Sequence, residues 1–532
     1  MSEYRAAAEQ TARREARRRA RRQAVRVRRA VAVLVIALLG IGIWQLTSAF
    51  GNSDTADTAG KAARHPAHKT TAAGQPRQTA TATTAQPRGA INPKVPGLTT
   101  FRGNLTRTYY GEGPVPRKKP HILWRYPRSG SMCARSSDEN GTETWCGMGW
   151  TGQVNVIPHK KGKLIELRFG AYDDHYHFLN ARTGRHLHPD LVTGDLAKGS
   201  ATSDPDGYPL YYGGSRDNNF RIIALDRWRP RVLWSMNADT TVSNPVWNND
   251  WDGAALVVGD YLLEGGENSW FYVVKLNRGW TRKGRVRVNP HIVLTVPSWD
   301  SALWAIWPNH SFSIENSVAF KDGVVYFANS AGLVQGWDIS KILRGGKGAR
   351  RVFHFWTGDD TDASVVIDKK GNLYVASELE KFTARSRAVG QLMKLNPHRR
   401  KPLVWHIPLR QLNGSKGGSW STPALDRGVV YDATEAGGVI AVDRKSGKVL
   451  WRYPLPGPTW SSPVVVDKVL LEGDCAGYLN AFDVANPRKK PRRLWRLRLD
   501  GGCIEATPAV WHNRIYVGTR AGALYAIGRQ SG

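Results

Sequence analysis

From Phe101 to the C-terminus, one pattern of four short apolar runs keeps returning, and few folds can accommodate it. Its clearest copy reads Trp420-Ser-Thr-Pro-Ala-Leu, Gly428-Val-Val-Tyr431, Gly438-Val-Ile-Ala-Val-Asp443 and Ser446-Gly-Lys-Val-Leu-Trp451. Short apolar stretches separated by turn residues predict four strands per copy. A second copy starts at Trp460-Ser-Ser-Pro-Val-Val and a third at Glu505-Ala-Thr-Pro-Ala-Val. Looser copies centre on Tyr176–Gly184, Ile222–Asp226, Trp270–Leu276, Gly332–Asp338 and Val389–Leu395. Eight copies at a spacing of about 40 to 60 residues predict an all-β, eight-bladed β-propeller with four-stranded antiparallel blades. The last copy stops after its third strand at Ile527, while a spare strand, Ile122-Leu-Trp-Arg-Tyr126, precedes the first. Supplying that strand from the N-terminal side closes the ring and removes the exposed edges.

These residues resemble a known family. Ala441-x-Asp443-x-x-Ser446-Gly447-x-x-x-Trp451 is similar to the tryptophan-docking motif of PQQ-like (quinoprotein) β-propellers, and Phe101-Arg-Gly-Asn-Leu-Thr-Arg-Thr resembles the way those domains begin. The resemblance covers 98–532. It implies the fold, but the family spans dehydrogenases and assembly lipoproteins, so it does not by itself imply an activity. In its dehydrogenases, PQQ lies between a Trp floor and a disulfide of adjacent Cys, with Ca²⁺ on Glu, Asn and a catalytic Asp. Here Cys133, Cys146, Cys475 and Cys503 are all separated, and no dehydrogenase residue maps onto a matching position. No catalytic residue is therefore assigned. A PQQ- and calcium-dependent dehydrogenase is the alternative to a binding or scaffold protein, and a purely structural spacer is a third reading.

The first hundred residues predict a cell address. Residues 1–29 carry eleven Arg against three Glu, and 30–50 carry no charge. About twenty uncharged, mostly apolar residues can cross a bilayer as a helix, and the Arg cluster keeps its own end cytoplasmic. The expectation is a basic cytoplasmic tail (1–29), a signal-anchor helix (30–50), an Ala/Thr/Pro-rich stalk (51–97) and an extracytoplasmic propeller (98–532). Thr47-Ser48-Ala49 leaves a cleaved signal peptide open. The Arg run has no aromatic interleaving and its place beside the span accounts for it, so no nucleic-acid partner is expected. The propeller itself is basic, at net +20. Envelope glycans or exported proteins are the expected partners, with anionic ones favoured by charge.

In an up-and-down blade, the blade-to-blade connection and the second-to-third-strand loop share one face. The connections around that channel mouth bring Asp250, Asp252, Glu315, Asn316, Asp360, Asp362 and Glu505 together with Trp150, Trp251, Trp420 and Trp460. Glu315, Asn316, Asp360 and Asp362 form a candidate Ca²⁺ set, because that ion takes several oxygens. The indoles offer flat faces for a sugar or a planar cofactor. The competing reading is a polar rim whose carboxylates pair with Arg or accept backbone N–H. An oxidising exterior permits disulfides 133–146 and 475–503, the alternative being four free thiols. His175, His177, His186 and His188 flank one turn, and if 177 lies opposite 188 they share a face with Asp190 opposite His175. That arrangement suits Zn²⁺, against packing or solvent exposure as the plainer reading. No phosphate loop, Ser-His-Asp elbow or HExxH motif appears in 98–532.

Overall fold

The four-run repeat folds into eight sheets, seven of four strands and one of five. The computed structural model describes residues 89–138, 141–149, 152–159, 162–409 and 416–529. The Arg-rich tail, the apolar run and most of the stalk lie outside the described residues, as does Trp150. Among the described residues no helix is long and apolar enough to cross a membrane. Blades 1 to 7 span 155–192, 202–237, 256–297, 319–356, 366–407, 424–454 and 464–498. Blade 8 takes three strands from 509–528 and its fourth from His121–Tyr126, paired antiparallel with Ile122 opposite Ile527. The ring therefore closes through the N-terminal strand, as the sequence predicts.

Period-2 alternation sends successive side chains to opposite neighbours. In blade 6, Val439 and Ala441 join the apolar layer shared with blades 7 and 8, while Ile440 and Val442 face blade 5. The docking motif fastens one blade to the next. Trp405 donates its indole N–H to the Arg444 carbonyl at 3.2 Å, Trp451 to Pro487 at 3.1 Å, and Trp495 to Pro116 at 2.7 Å. Asp443 Oδ1 accepts the Lys445 and Ser446 N–H groups, which shapes the turn. Gly447 then sits at φ 76°, and a Cβ there would lie 2.6 Å from Trp405 Cγ. Gly447→Ala is expected to cost about 3 kcal/mol through strain and overpacking. Chemical denaturation measures it, and a loss below about 1 kcal/mol would contradict this account of the motif.

The central channel is filled. Residues 97–112 enter it, turn inside it and leave on the side they came from. Backbone bonds join Leu98 to Val156, Thr99 to Ser203, Leu105 to Phe320 and Thr106 to Ile367, while Gly111 pairs with Val510. Arg102 and Arg107, both fully buried, reach carbonyls just before the innermost strands. Arg102 donates to Pro423 at 2.8 Å and Pro463 at 2.9 Å. Arg107 donates to Ala254 at 2.8 Å and Val318 at 2.6 Å. This plug thus bonds to all eight blades. The Phe101–Thr108 motif, read from sequence only as a beginning, is the hub of the ring.

Both expected disulfides form, Cys133–Cys146 and Cys475–Cys503, with no free Cys among the described residues.

Candidate functional site at the channel mouth

The second-to-third-strand loops and the blade-to-blade connections meet on one face. There Glu267 N–H bonds the Asp250 carbonyl, Glu378 bonds Asp360, and Arg520 bonds Cys503. With the plug beneath, the mouth is a cup with a floor. Its wall divides into two halves of different chemistry.

Over blades 1 to 3 two cations sit among three carboxylates. Lys198 Nζ lies 3.1 Å from Asp250, 2.8 Å from Asp252 and 3.1 Å from Glu267. Arg216 Nε adds a contact to Asp250 at 3.1 Å. Burial opposes the charge on Lys198, but the three carboxylates override it and hold its pKa well above the ordinary value. Asp250, Asp252 and Glu267 converge closely enough to ligate a metal, yet the ammonium already provides the cation. Glu505 is held by Arg520 at 3.2 Å, and Arg520 lies over the rings of Trp145 and Tyr172.

Over blades 4 and 5 the charge is not balanced. Carboxylate oxygens of Asp360, Asp362 and Glu378 lie within 4.8 Å of one another. Buried oxygens on each of the three (Asp360 Oδ1, Asp362 Oδ1 and Glu378 Oε1) have no hydrogen-bond partner. The nearest cation, Lys381 Nζ, is 3.9 Å from Asp360. The loop is built for this: Asp359 accepts the N–H groups of Glu380, Lys381 and Phe382, which turns the chain after Glu378 into the helix Ala384–Val389. Burial, then Glu267 and Asp360, push Glu315 up to about 8. Burial also lifts Asp360, opposed by Lys381, to about 6, and raises Asp362 and Glu378 well above the carboxylate range. Such a group holds protons or a cation at neutral pH.

Two members of the expected set are committed elsewhere. The Asn316 amide donates to the Ala328 and Thr361 carbonyls at 2.9 and 3.1 Å and accepts Ala328 N–H at 3.2 Å. It braces backbone and is not free to ligate calcium. Trp251 is 1% exposed, packed between Phe220 and Tyr272, with its N–H on the Asn218 carbonyl. It belongs to the core, where no ligand reaches it. Glu378 takes the place of Asn316 beside Asp360 and Asp362, while Glu315 stands outside this triad with its Oε1 accepting from Ser313 and Ser330.

Trp420 and Trp460 do meet, with ring centroids 4.4 Å apart and planes at 43°. Trp460 donates to Glu435, and Trp420 lies beside Glu378. The half-buried pair therefore presents indole faces beside carboxylates. Glu267, Glu378, Glu435, Arg520 and Trp145 are mouth residues that sequence reasoning left out. The first four lie in second-to-third-strand loops, which blade topology sends to this face; Trp145 has no such signal.

The histidines do not form a zinc site. His175 lies opposite Val192, not Asp190, and His188 turns away to the Trp228 carbonyl. His177, 2% exposed, contacts Asp173 through Nε2 and Asp190 through Nδ1, each at 3.1 Å. Burial would depress its pKa, but these two carboxylates raise it to about 9. Both ring nitrogens are thus engaged by carboxylates, and among the described residues no histidine joins a cluster able to hold a metal.

Comparison with known proteins follows this geometry. Residues 398–532 match the family model described as outer membrane protein assembly factor BamB. Among solved structures, the chain is similar to quinohemoprotein alcohol dehydrogenase from Comamonas testosteroni, at 12% identity and a TM-score of 0.54, covering 82% of this chain and 81% of that one. The computationally designed Ika8 protein is similar at 13% identity and a TM-score of 0.47, covering 71% and 97%. No curated protein matches the chain. The PQQ-like resemblance read from the docking motif is borne out by the family match and the fold.

Proposed function

We propose that this PQQ-like propeller is a binding or scaffold protein of the cell envelope that holds an envelope glycan or an exported protein in its mouth cup. The observation that carries this reading is the Trp420–Trp460 pair flanked by Glu378 and Glu435. Indole faces take the C–H face of a sugar or an apolar side chain, and the flanking carboxylates accept hydroxyl or amide hydrogens. The plug below keeps the ligand at the surface and prevents it from threading the ring.

The reading places the chain as a single-pass membrane protein, anchored by 30–50 with its N-terminus cytoplasmic and the propeller extracytoplasmic. The uncharged run, the preceding Arg cluster and the two disulfides support this. The assembly-factor description over 398–532 agrees with a scaffold role. PQQ does not fit the residues present: neither disulfide joins adjacent Cys, and Trp251 and Asn316 are committed to the core and the backbone. A cation would fit among Asp360, Asp362 and Glu378, where it would neutralise the rim and bridge to a ligand oxygen.

Calorimetry with wall glycan fragments and exported-protein peptides tests the cup. Trp420→Ala is expected to weaken binding by about tenfold or more while leaving the melting temperature close to wild type. Unchanged affinity in both Trp420→Ala and Trp460→Ala would remove the cup as the binding site.

A further inference from the structure

The face opposite the mouth has the reverse charge. First-to-second and third-to-fourth strand connections meet there, joined by bonds such as Val484 N–H to the Lys468 carbonyl and Ile339 N–H to the Gly323 carbonyl. Arg229, Lys283, Lys347, Arg400, Lys445 and Lys490, one from each third-to-fourth connection of blades 2 to 7, are exposed. Most carboxylates on this face are paired, Asp226 with Arg227, Asp260 with Arg278, Asp426 with Arg427, Asp443 with Arg488 and Asp483 with Arg117, while exposed Asp467 is in no ion pair among the described residues. The exposed surplus is therefore positive and spread around the ring.

Two indoles stand in the same plane of loops. Trp228 is 72% exposed and Trp280 is 51% exposed. Their loops are tied together by Val286 N–H to Asp226 at 2.6 Å and Arg227 to the Val286 carbonyl at 3.3 Å. The chain also enters here. Asn92 donates to Asp206 in the first-to-second connection of blade 2 at 3.1 Å, and the chain then climbs past Pro158 and Val156 into the channel. The described chain thus reaches the channel from the basic face and not from the acidic mouth.

We infer that this face rests on an anionic bilayer surface, its lysines and arginines on lipid phosphates and Trp228 and Trp280 at the headgroup boundary, with the cup turned away from the membrane. The inference builds on the anchored reading above. As the predicted stalk, 51–88 would span about 35 Å root-mean-square as a flexible coil, short enough for the propeller to touch the bilayer. On contact a cationic face pairs with anionic headgroups, and exposed indoles suit the interface. A soluble polyanion satisfies the charge but gives no role to the two indoles or to the point of chain entry.

The test uses the full chain in lipid nanodiscs, either phosphatidylcholine alone or with about 30% phosphatidylglycerol. Lysine acylation is read site by site by mass spectrometry. Lys283, Lys445 and Lys490 are expected to react about tenfold more slowly in the anionic discs, with the difference lost at high salt and mouth-side Lys416 unchanged. A Lys445→Glu/Lys490→Glu variant of wild-type melting temperature should lose the protection at Lys283. Equal labelling in both discs overturns the inference. So does equal protection by soluble poly(glycerol phosphate) in neutral discs, which would make a polymer the occupant. Failure of the chain to enter discs overturns the anchor reading instead. The face is then judged by pelleting the same chain with anionic vesicles, where binding sustains it and its absence rejects it.

Discussion

Arg107→Ala is expected to cost at least about 5 kcal/mol and, in a chain of ordinary stability, to prevent folding. The guanidinium donates to the carbonyls of Ala254, Val318 and Phe101 and to Thr100 Oγ1. Removing it orphans these buried acceptors, each worth about 1 to 3 kcal/mol. Burial pulls its pKa down to about 9, with Glu264 opposing, so it stays charged at neutral pH. Arg107→Lys should recover only part of the loss, because an ammonium on one stem cannot match a planar five-donor fork. Arg102→Ala should act the same way but less severely, since Arg102 reaches Pro423, Pro463 and, at 3.5 Å, the Arg107 carbonyl. Circular dichroism and denaturant titration measure these losses. A folded Arg107→Ala protein of unchanged midpoint would refute the hub role of the plug.

The second large effect is a pH dependence written into the mouth. Glu315 is raised from 4.5 to about 8, so the folded protein holds its proton more tightly than the unfolded chain does. Its contribution is present in full below pH 4.5 and is lost as pH rises through 8. Asp360, raised to about 6, and Asp362 act in the same sense. In chelator, wild-type stability should fall by about 3 kcal/mol between about pH 5 and 8.5, and Glu315→Gln should make that slope shallower. Calcium should restore the loss at the alkaline end, because the cation replaces the missing protons. Glu378→Gln or Asp362→Asn should abolish the calcium effect. Thermal melts across pH, with and without calcium, supply the measurement. A flat wild-type profile in chelator would show that the cluster is solvated and the burial argument wrong.

Sequence and structure agree wherever a property belongs to one repeat. Apolar periodicity yields the strands, Ser446-Gly447 yields the tight turn, and eight copies with a spare Ile122–Tyr126 strand yield a closed ring. Up-and-down topology then assigns loops to faces. That is why the sequence points Asp360, Asp362, Trp420 and Trp460 to one mouth, and why loop placement with an oxidising exterior suffices to pair the cysteines. The missed loop residues followed from the same topology, but their turns vary in length and carry no motif. The stretch from Glu378 to the Ala384–Val389 helix is the clearest case.

Other assignments depend on groups far apart in the chain. Asn316 and Trp251 read as ligands because amides and indoles near a mouth usually face it. They are structural because Ala328, Thr361 and Asn218 carbonyls come within hydrogen-bond reach once the blades close. Lys198 reads as one cation among many until the ring brings three carboxylates to it. The register error at His175 has the same origin: a two-residue shift leaves the alternation intact, so only the closed sheet sets the partner. Strand content, blade number and the way the ring closes are local and periodic, and the chain alone specifies them. Which polar side chains brace the backbone and which are left facing a ligand is a question of distances across 45 to 361 residues of sequence, as in Asn316 to Thr361 and Arg102 to Pro463. Only the assembled propeller answers it, because a hydrogen bond forms or fails within a few tenths of an ångström.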